Sequence, residues 1–308
     1  MTVTPNGSGP DFLCIGLQKA GTGWLFDQLD FHPDFWMPPL KELHFFDSRL
    51  KAKRLDKLLR GMQSDLVGLN NTRLHQNRRS LGDRELQFLF KAKAMKGAPQ
   101  DLDKYAELFV GKQNLLSGDI TLGYSTLPET MIKSISERFP GLKIVLLLRN
   151  PIERSWSQVN MHIRAGKLTE AEASDWNELK ANLSGDGFFA RSHPSKVWSR
   201  WTKFISEERM GYFFFDDLCQ RPVEFRATIL NFLGADPEKS SGTLSADYNR
   251  KNNNLKISMS RSVREHMIDF FREELLACAR IFGGPANEWL TRYGLTTQPA
   301  NTRLGGQK

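Results

Sequence analysis

Five short runs of apolar, β-prone residues punctuate the chain: "FLCIGL" (12–17), "DFWMP" (34–38), "NLLSGDI" (114–120), "KIVLLL" (143–148) and "GYFFFDDL" (211–218). Most are continuous rather than alternating, the pattern of strands covered on both faces. Between them the hydrophobic period becomes helical. Ile152, Trp156, Val159 and Ile163 recur at helical spacing, with Asn150 placed as N-cap, Pro151 at the first helical position and Glu153 as the acid of a capping box. Val197, Trp198, Trp201 and Ile205 mark another helix, and Val263, Met267, Phe270 and Leu275 a long one near the C-terminus. Strands alternating with helices predict an α/β fold of three layers around a mostly parallel, five-stranded sheet, with ligands at the C-terminal ends of its strands. No internal repeat is visible.

Composition adds limits. The 308 residues are enough for a sizeable core and read as one domain, 1–308. The longest purely apolar run, "IVLLL", is too short to span a bilayer, and "MTVTPNGSGPDF" lacks the basic-then-apolar pattern of a secretory signal. Cys14, Cys219 and Cys278 are few, odd in number and widely spaced. That pattern predicts buried thiols in a reducing cytoplasm, with neither a disulfide framework nor a zinc cluster.

The net charge of +8 is concentrated: residues 49–96 hold thirteen Arg and Lys against four Asp and Glu, a surplus of nine. This block reads as a basic helical insertion or lid (49–100) within the domain. It is either a solvated face or a surface for an anionic partner, such as an acidic glycan, a phospholipid surface met peripherally, or nucleic acid. Aromatic residues are sparse there, only Phe88 and Phe90, so no nucleic-acid partner is expected.

Three segments carry the chemistry. In "CIGLQKAGTGWL" (14–25) an apolar run ends at Gly16 and a helix is expected to start near Thr22. Such a turn aims backbone N–H groups and the positive end of a helix dipole at one point, favouring a phosphate or sulfate. A nucleoside-triphosphate loop places its lysine directly after the second glycine. Here Gly21 is followed by Thr22, and the lysine is Lys19, inside the loop, where it can neutralise a leaving oxygen. In "LLRNPIERSWSQ" Arg149 stands at the end of a strand and Ser157 in the second turn of the next helix, both at the ligand edge of the sheet. In "PPLKELHFFD" Lys41, Glu42, His44 and Asp47 lie among Leu43, Phe45 and Phe46, candidates for proton transfer under partial burial. His44 and Asp47 lack further ligands at metal spacing, so no metal is expected.

Taken in order, "IGLQKAGTGWL", "HPDFWMPPLKELHFFD", "SGDITLGY" and "LLRNPIERSWSQ" resemble the sulfotransferases that use 3′-phosphoadenosine 5′-phosphosulfate (PAPS), above all the bacterial and heparan-sulfate-type carbohydrate branch. The similarity covers about residues 11 to 292 and leaves the basic insertion unmatched. It implies a P-loop-like fold and transfer of a sulfuryl group from PAPS to a hydroxyl, or an amine, of a saccharide, glycolipid or small metabolite. The products are the sulfated acceptor and 3′-phosphoadenosine 5′-phosphate (PAP), with no metal. By the resemblance Ala20, Gly21, Thr22 and Gly23 hold the 5′-phosphate and Lys19 reaches the bridging oxygen. Arg149 and Ser157 grip the 3′-phosphate, Trp24 stacks on adenine, and Arg250 and Lys251 of "YNRKNNN" belong to a loop that closes over the 3′-phosphate. Glu42 matches the general base of "E-x-H-F-F", with His44 as its partner or an acceptor-positioning group.

Several positions depart from the family's pattern. Gly23 replaces a second Thr or Ser, Asn252 stands where glycine is usual, and Ile120 and Leu122 occupy the lysine and proline positions of "EKTPAY". The missing cation at 120 leaves the acceptor open, and the sequence is silent on oligomeric state. Two other readings of the loop and the basic block stand beside this one. One is a P-loop kinase or hydrolase dependent on Mg²⁺; the other is a non-catalytic module that binds acidic polymer with a steep salt dependence.

Overall fold

The apolar runs build a four-stranded, all-parallel sheet in the computed structural model, which describes residues 9–47, 52–76, 78–95, 100–239, 244–248 and 257–296. In chain order the elements that matter are β1 (Phe12–Gly16), α1 (Thr22–Phe31), α2 (Ala52–Ser64), α3 (Leu66–His75), α4 (Asp83–Ala94), β2 (Gly118–Ile120), β3 (Lys143–Leu148), α5 (Pro151–Arg164), β4 (Met210–Phe214), α6 (Phe215–Gln220), α7 (Pro222–Leu233) and α8 (Arg261–Phe282). The sheet order is β2-β1-β3-β4, with Phe12 opposite both Gly118 and Lys143. Ile144 to Leu148 are wholly buried, as a strand covered on both faces must be.

Three expectations about the sheet are corrected. The run 34–38 forms no strand; only Phe35 bridges Leu116, and Pro38 and Pro39, which lack N–H donors, end the pairing. The run 211–218 stops being a strand at Phe214, because Asp216 and Asp217 fall in the first turn of α6, where the helix dipole favours acids. Residues 114–120 shorten to the three residues of β2.

The described residues group into two compact units, one within Met1–Arg149 and Lys196–Asn254, the other within Asn150–Ser195 and Leu255–Lys308. The first holds the sheet, α1 and the basic helices. Leu55, Leu59 and Met62 of α2 and Phe88, Leu89 and Ala92 of α4 are buried while the cations between them face out, so this stretch is amphipathic and packed. Trp36 anchors it by donating its indole N–H to Glu85 at 2.7 Å and meeting the Phe88 ring edge-on.

In the second unit the Asn150 side chain caps α5, accepting from the N–H groups of Ile152 and Glu153. Glu153 does not close a capping box; it pairs with Arg292 instead. Trp156 and Asn160 clamp the backbone of Ile257. On α8 the buried stripe is Val263, Met267, Phe271, Leu275 and Cys278, so Phe271 rather than Phe270 faces the core. Cys14 and Cys278 are buried, but Cys219 is exposed, against the expectation for all three thiols. No helix among the described residues is long and apolar enough to cross a membrane.

Candidate active site

Because all four strands run in parallel, the segments that follow β1, β2, β3 and β4 leave from one edge of the sheet. The first is the loop from Leu17 to Gly21. Gly21 is the N-cap of α1 at φ 96°, and a Cβ there would also sit 2.8 Å from Leu218, so glycine is required twice over. No side chain caps α1 and no acid lies in its first turn. Its leading N–H groups therefore point outward with the positive end of the dipole, as an oxyanion site needs. Thr22, almost fully buried, opens the helix, and its hydroxyl accepts a hydrogen bond from Lys41 Nζ at 3.4 Å.

Lys19 is held at φ 70°. Arg149, the residue after β3, donates from Nη1 to the Lys19 carbonyl at 2.8 Å and lies over the Phe215 ring, 4.4 Å from its centre. One guanidinium thus fixes the backbone of the residue expected to do the chemistry.

The segment 41–47 brings three titratable groups together. His44 lies between two carboxylates: Nδ1 is 2.8 Å from Asp47 Oδ2, and Nε2 is 3.5 Å from Glu42 Oε2. Donation from Nδ1 to Asp47 leaves Nε2 turned to Glu42. Glu42 and His44 both have left-handed backbones, at φ 61° and 56°. Among the described residues four non-glycines have positive φ, and Lys19, Glu42 and His44 are three of them. Such conformations cost about 1–3 kcal/mol each and collect at functional sites where surrounding contacts enforce them.

For the 41–47 segment those contacts come from β2 and the residues that follow it. Asp119 is buried and accepts from the hydroxyls of Thr121 at 2.6 Å, Tyr124 at 2.7 Å and Tyr105 at 3.2 Å, and from the Leu43 N–H. Tyr124 in turn receives the Phe45 N–H at 3.0 Å, and Thr121 Oγ1 the His44 N–H at 3.5 Å. Burial raises the Asp119 carboxyl above its ordinary range despite these donors, and burial beside Asp119 holds both phenols well above theirs. Tyr105 and Tyr124 therefore keep the protons they donate. Gly123 leaves the room: a Cβ there would sit 2.2 Å from Asp47 Oδ2 and 3.2 Å from His44 Nδ1.

Gly123→Ala should accordingly fold normally and lose turnover, by up to about 10²-fold, since a misplacement near 1 Å in a catalytic constellation costs that much. The check is a cycle with Asp47→Ala. If the methyl acts through the His44–Asp47 contact, Gly123→Ala adds little to Asp47→Ala; independent, multiplicative losses would refute this account.

Trp24 is built into the wall of the site. Its ring packs on Phe225 with centres 5.4 Å apart, its N–H donates to the Ala246 carbonyl at 2.8 Å, and only 7% of it is exposed. Gln28 and Arg226 hold the neighbouring carbonyls of Ser245 and Leu244. Arg250 and Lys251, expected to close over a phosphate, lie outside the described residues. Ser157 is half-buried on α5 in the second unit. Ile120 is buried at the end of β2, so the lysine position of the related pattern carries no cation here. Lys41 and Asp47 stood in the sequence among the candidates for proton transfer; the structure sets Asp47 against His44 and Lys41 against the Thr22 hydroxyl. Their signal was proximity to Glu42 and His44; Gly123 had none.

At the far end of α1, Asp30 is almost sealed. Burial pushes its carboxyl up to about 6, against the pull of the nearby Arg79 and Arg73 guanidiniums. The folded protein thus holds a proton that the unfolded chain has already released. The stability this supplies is complete below the ordinary carboxylate range and is lost as pH rises through about 6. The expected loss is up to roughly 3 kcal/mol between about pH 4 and 8. Asp30→Asn should flatten the decline in melting temperature over that window; an unchanged slope would exclude Asp30 as its source.

A sequence model described as "Sulfotransferase family" matches residues 10–239, spanning the loop, the 41–47 segment and the whole sheet. Among solved structures, a sulfotransferase from Alicyclobacillus acidocaldarius is similar at 19% identity, covering 91% of this chain and 98% of that one, with a TM-score of 0.62. The sulfotransferase domain of the Synechococcus PCC 7002 olefin synthase is similar at 17% identity over 96% and 98%, with a TM-score of 0.50. No curated protein sequence matches the chain closely enough to count as a relative.

Proposed function

The chain belongs to the sulfotransferase family, and from that premise we propose that it moves a sulfuryl group from PAPS to a hydroxyl, or an amine, of a saccharide, glycolipid or small-metabolite acceptor. Family membership sets aside the kinase and non-catalytic readings. The observation that carries the proposal is the concentration of left-handed backbone at Lys19, Glu42 and His44, with Lys19 and His44 bonded from other segments.

In this reading the uncapped start of α1, with Ala20 to Gly23 before and within its first turn, receives the 5′-phosphate. Glu42 takes the proton from the acceptor as its oxygen attacks sulfur. The bond between sulfur and the bridging oxygen breaks opposite the attacking atom, and the electron pair stays on that oxygen. Lys19 meets the growing charge with its ammonium and can supply a proton. His44, pinned by Asp47, orients Glu42 or the acceptor. The 3′-phosphate roles of Arg149 and Ser157 rest on the sequence resemblance. Arg149 also grips the Lys19 carbonyl, so a phosphate on its guanidinium would tighten the catalytic loop. The stacking of Trp24 on adenine rests on the same resemblance; its ring already packs against Phe225.

The test is calorimetry with PAP and with AMP. Binding of PAP at least about tenfold tighter than AMP is expected, because a charge-assisted contact to the 3′-phosphate is worth a factor of that order. Equal affinities would end the proposal.

A further inference from the structure

A cavity of about 170 Å³ lies between α1, the 39–41 turn and the basic helices, all within the first unit. Its cations are Lys41, Arg54 of α2, Arg73 of α3 and Arg78; its anions are Asp27 and Asp30 on one face of α1. Four positive charges against two negative make it a site for an anion, and the paired carboxylates offer acceptors for hydroxyl groups. Two features join it to the transfer site. Lys41 reaches from its rim to the Thr22 hydroxyl, and Gly23 lines it with open space where a Cβ would stand. The family's second loop hydroxyl, absent at Gly23, would project from that position; its loss opens the corner of the cavity nearest the start of α1.

We propose that this cavity is the acceptor subsite and that it selects a small hydroxylated acid, its anionic group held by Arg54 and Arg78 and its hydroxyls by Asp27 and Asp30. The inference rests on the sulfotransferase reading for the direction of transfer, but not for the binding itself. Size sets the class: an apolar cavity of about 150 Å³ takes one benzene ring, so this one has room for a single substituted ring or a short chain. Arg73 has a different task. It is 8% exposed and its Nε donates to the Arg79 carbonyl, while Arg79 bonds the carbonyls of Asp30 and Phe35. That lattice fixes the distance between the basic helices and α1. Arg54 is exposed and is not needed for it.

The experiment is titration of the PAP-saturated full chain with glucuronate, glucose 6-phosphate and glucose. Saturable binding of either acid, with glucose much weaker, is expected; the two acids separate a carboxylate from a phosphate preference. Arg54→Gln and Arg78→Gln should each weaken the preferred acid by about tenfold to a hundredfold, the value of a charge-assisted hydrogen bond. PAP affinity should stay unchanged, and Arg54→Lys should retain part of the binding. Acids that bind both Gln variants as well as the native chain would overturn the inference. So would a PAP-binding protein that ignores all small acids yet takes long acidic polymer with a steep salt dependence. Acid binding without PAP binding would instead leave the subsite standing and remove the donor assignment.

Discussion

Lys19→Ala should lower turnover with PAPS by ~10²–10³-fold, the usual cost of removing one preorganised donor from a developing oxyanion. The ammonium meets little charge in the bound donor and much more as the bond from sulfur to the bridging oxygen breaks. The loss should therefore fall on kcat, and on kcat/KM equally, while PAP affinity changes little. The loop should survive the change, because its shape depends on Gly21 and on the Arg149 bond to the residue-19 carbonyl, which alanine retains. Alanine at φ 70° is no more strained than lysine, so melting temperature serves as a control. A variant that keeps native turnover, or loses PAP binding and turnover in proportion, would remove Lys19 from the bond-breaking step.

The second large effect is expected at Glu42. Glu42→Gln keeps the shape of the side chain and removes its ability to take a proton, so turnover should fall by ~10²–10⁴-fold, the range for a lost general base. Donor binding should be untouched, since the proposed donor site is the start of α1 and not this carboxylate. The amide also changes what His44 Nε2 faces at 3.5 Å, whereas the 2.8 Å contact to Asp47 holds the ring in place. An Asp47→Asn variant therefore separates the two roles. It should lose less than Glu42→Gln, because it loosens the imidazole but leaves the base. Should Asp47→Asn prove the more damaging, the proton would pass through His44 and not directly to Glu42. Single-turnover rates with saturating acceptor decide the order.

The chemistry of the site was more legible in the sequence than its geometry. A lysine inside a glycine turn, at the wrong place for a triphosphate, set this loop apart by residue type and spacing; the bond assigned to it came from the family resemblance. The continuous apolar run of β3 was equally plain, because burial on both faces leaves no alternation to misread. Local pattern failed where a neighbour decides the outcome. The run 34–38 has the composition of a strand but meets a partner only at Phe35. The tail of 211–218 is acidic enough to begin a helix once the sheet has ended.

Residue types and their local spacing determined that a βα turn with a helix start would follow the first strand, that a cation would sit within it, and that an acid and a histidine would follow a short way on; they made an anion site there the expectation. These are properties of neighbours along the chain, fixed by side-chain chemistry and the helix dipole. Tertiary structure alone decided which backbone each group would adopt. The left-handed turn at His44 depends on a hydroxyl 77 positions away, its ring on the missing side chain of Gly123, and the Lys19 carbonyl on an arginine 130 positions distant. Contacts across such separations exist only after the sheet has gathered its strand ends at one edge, and no local pattern encodes them.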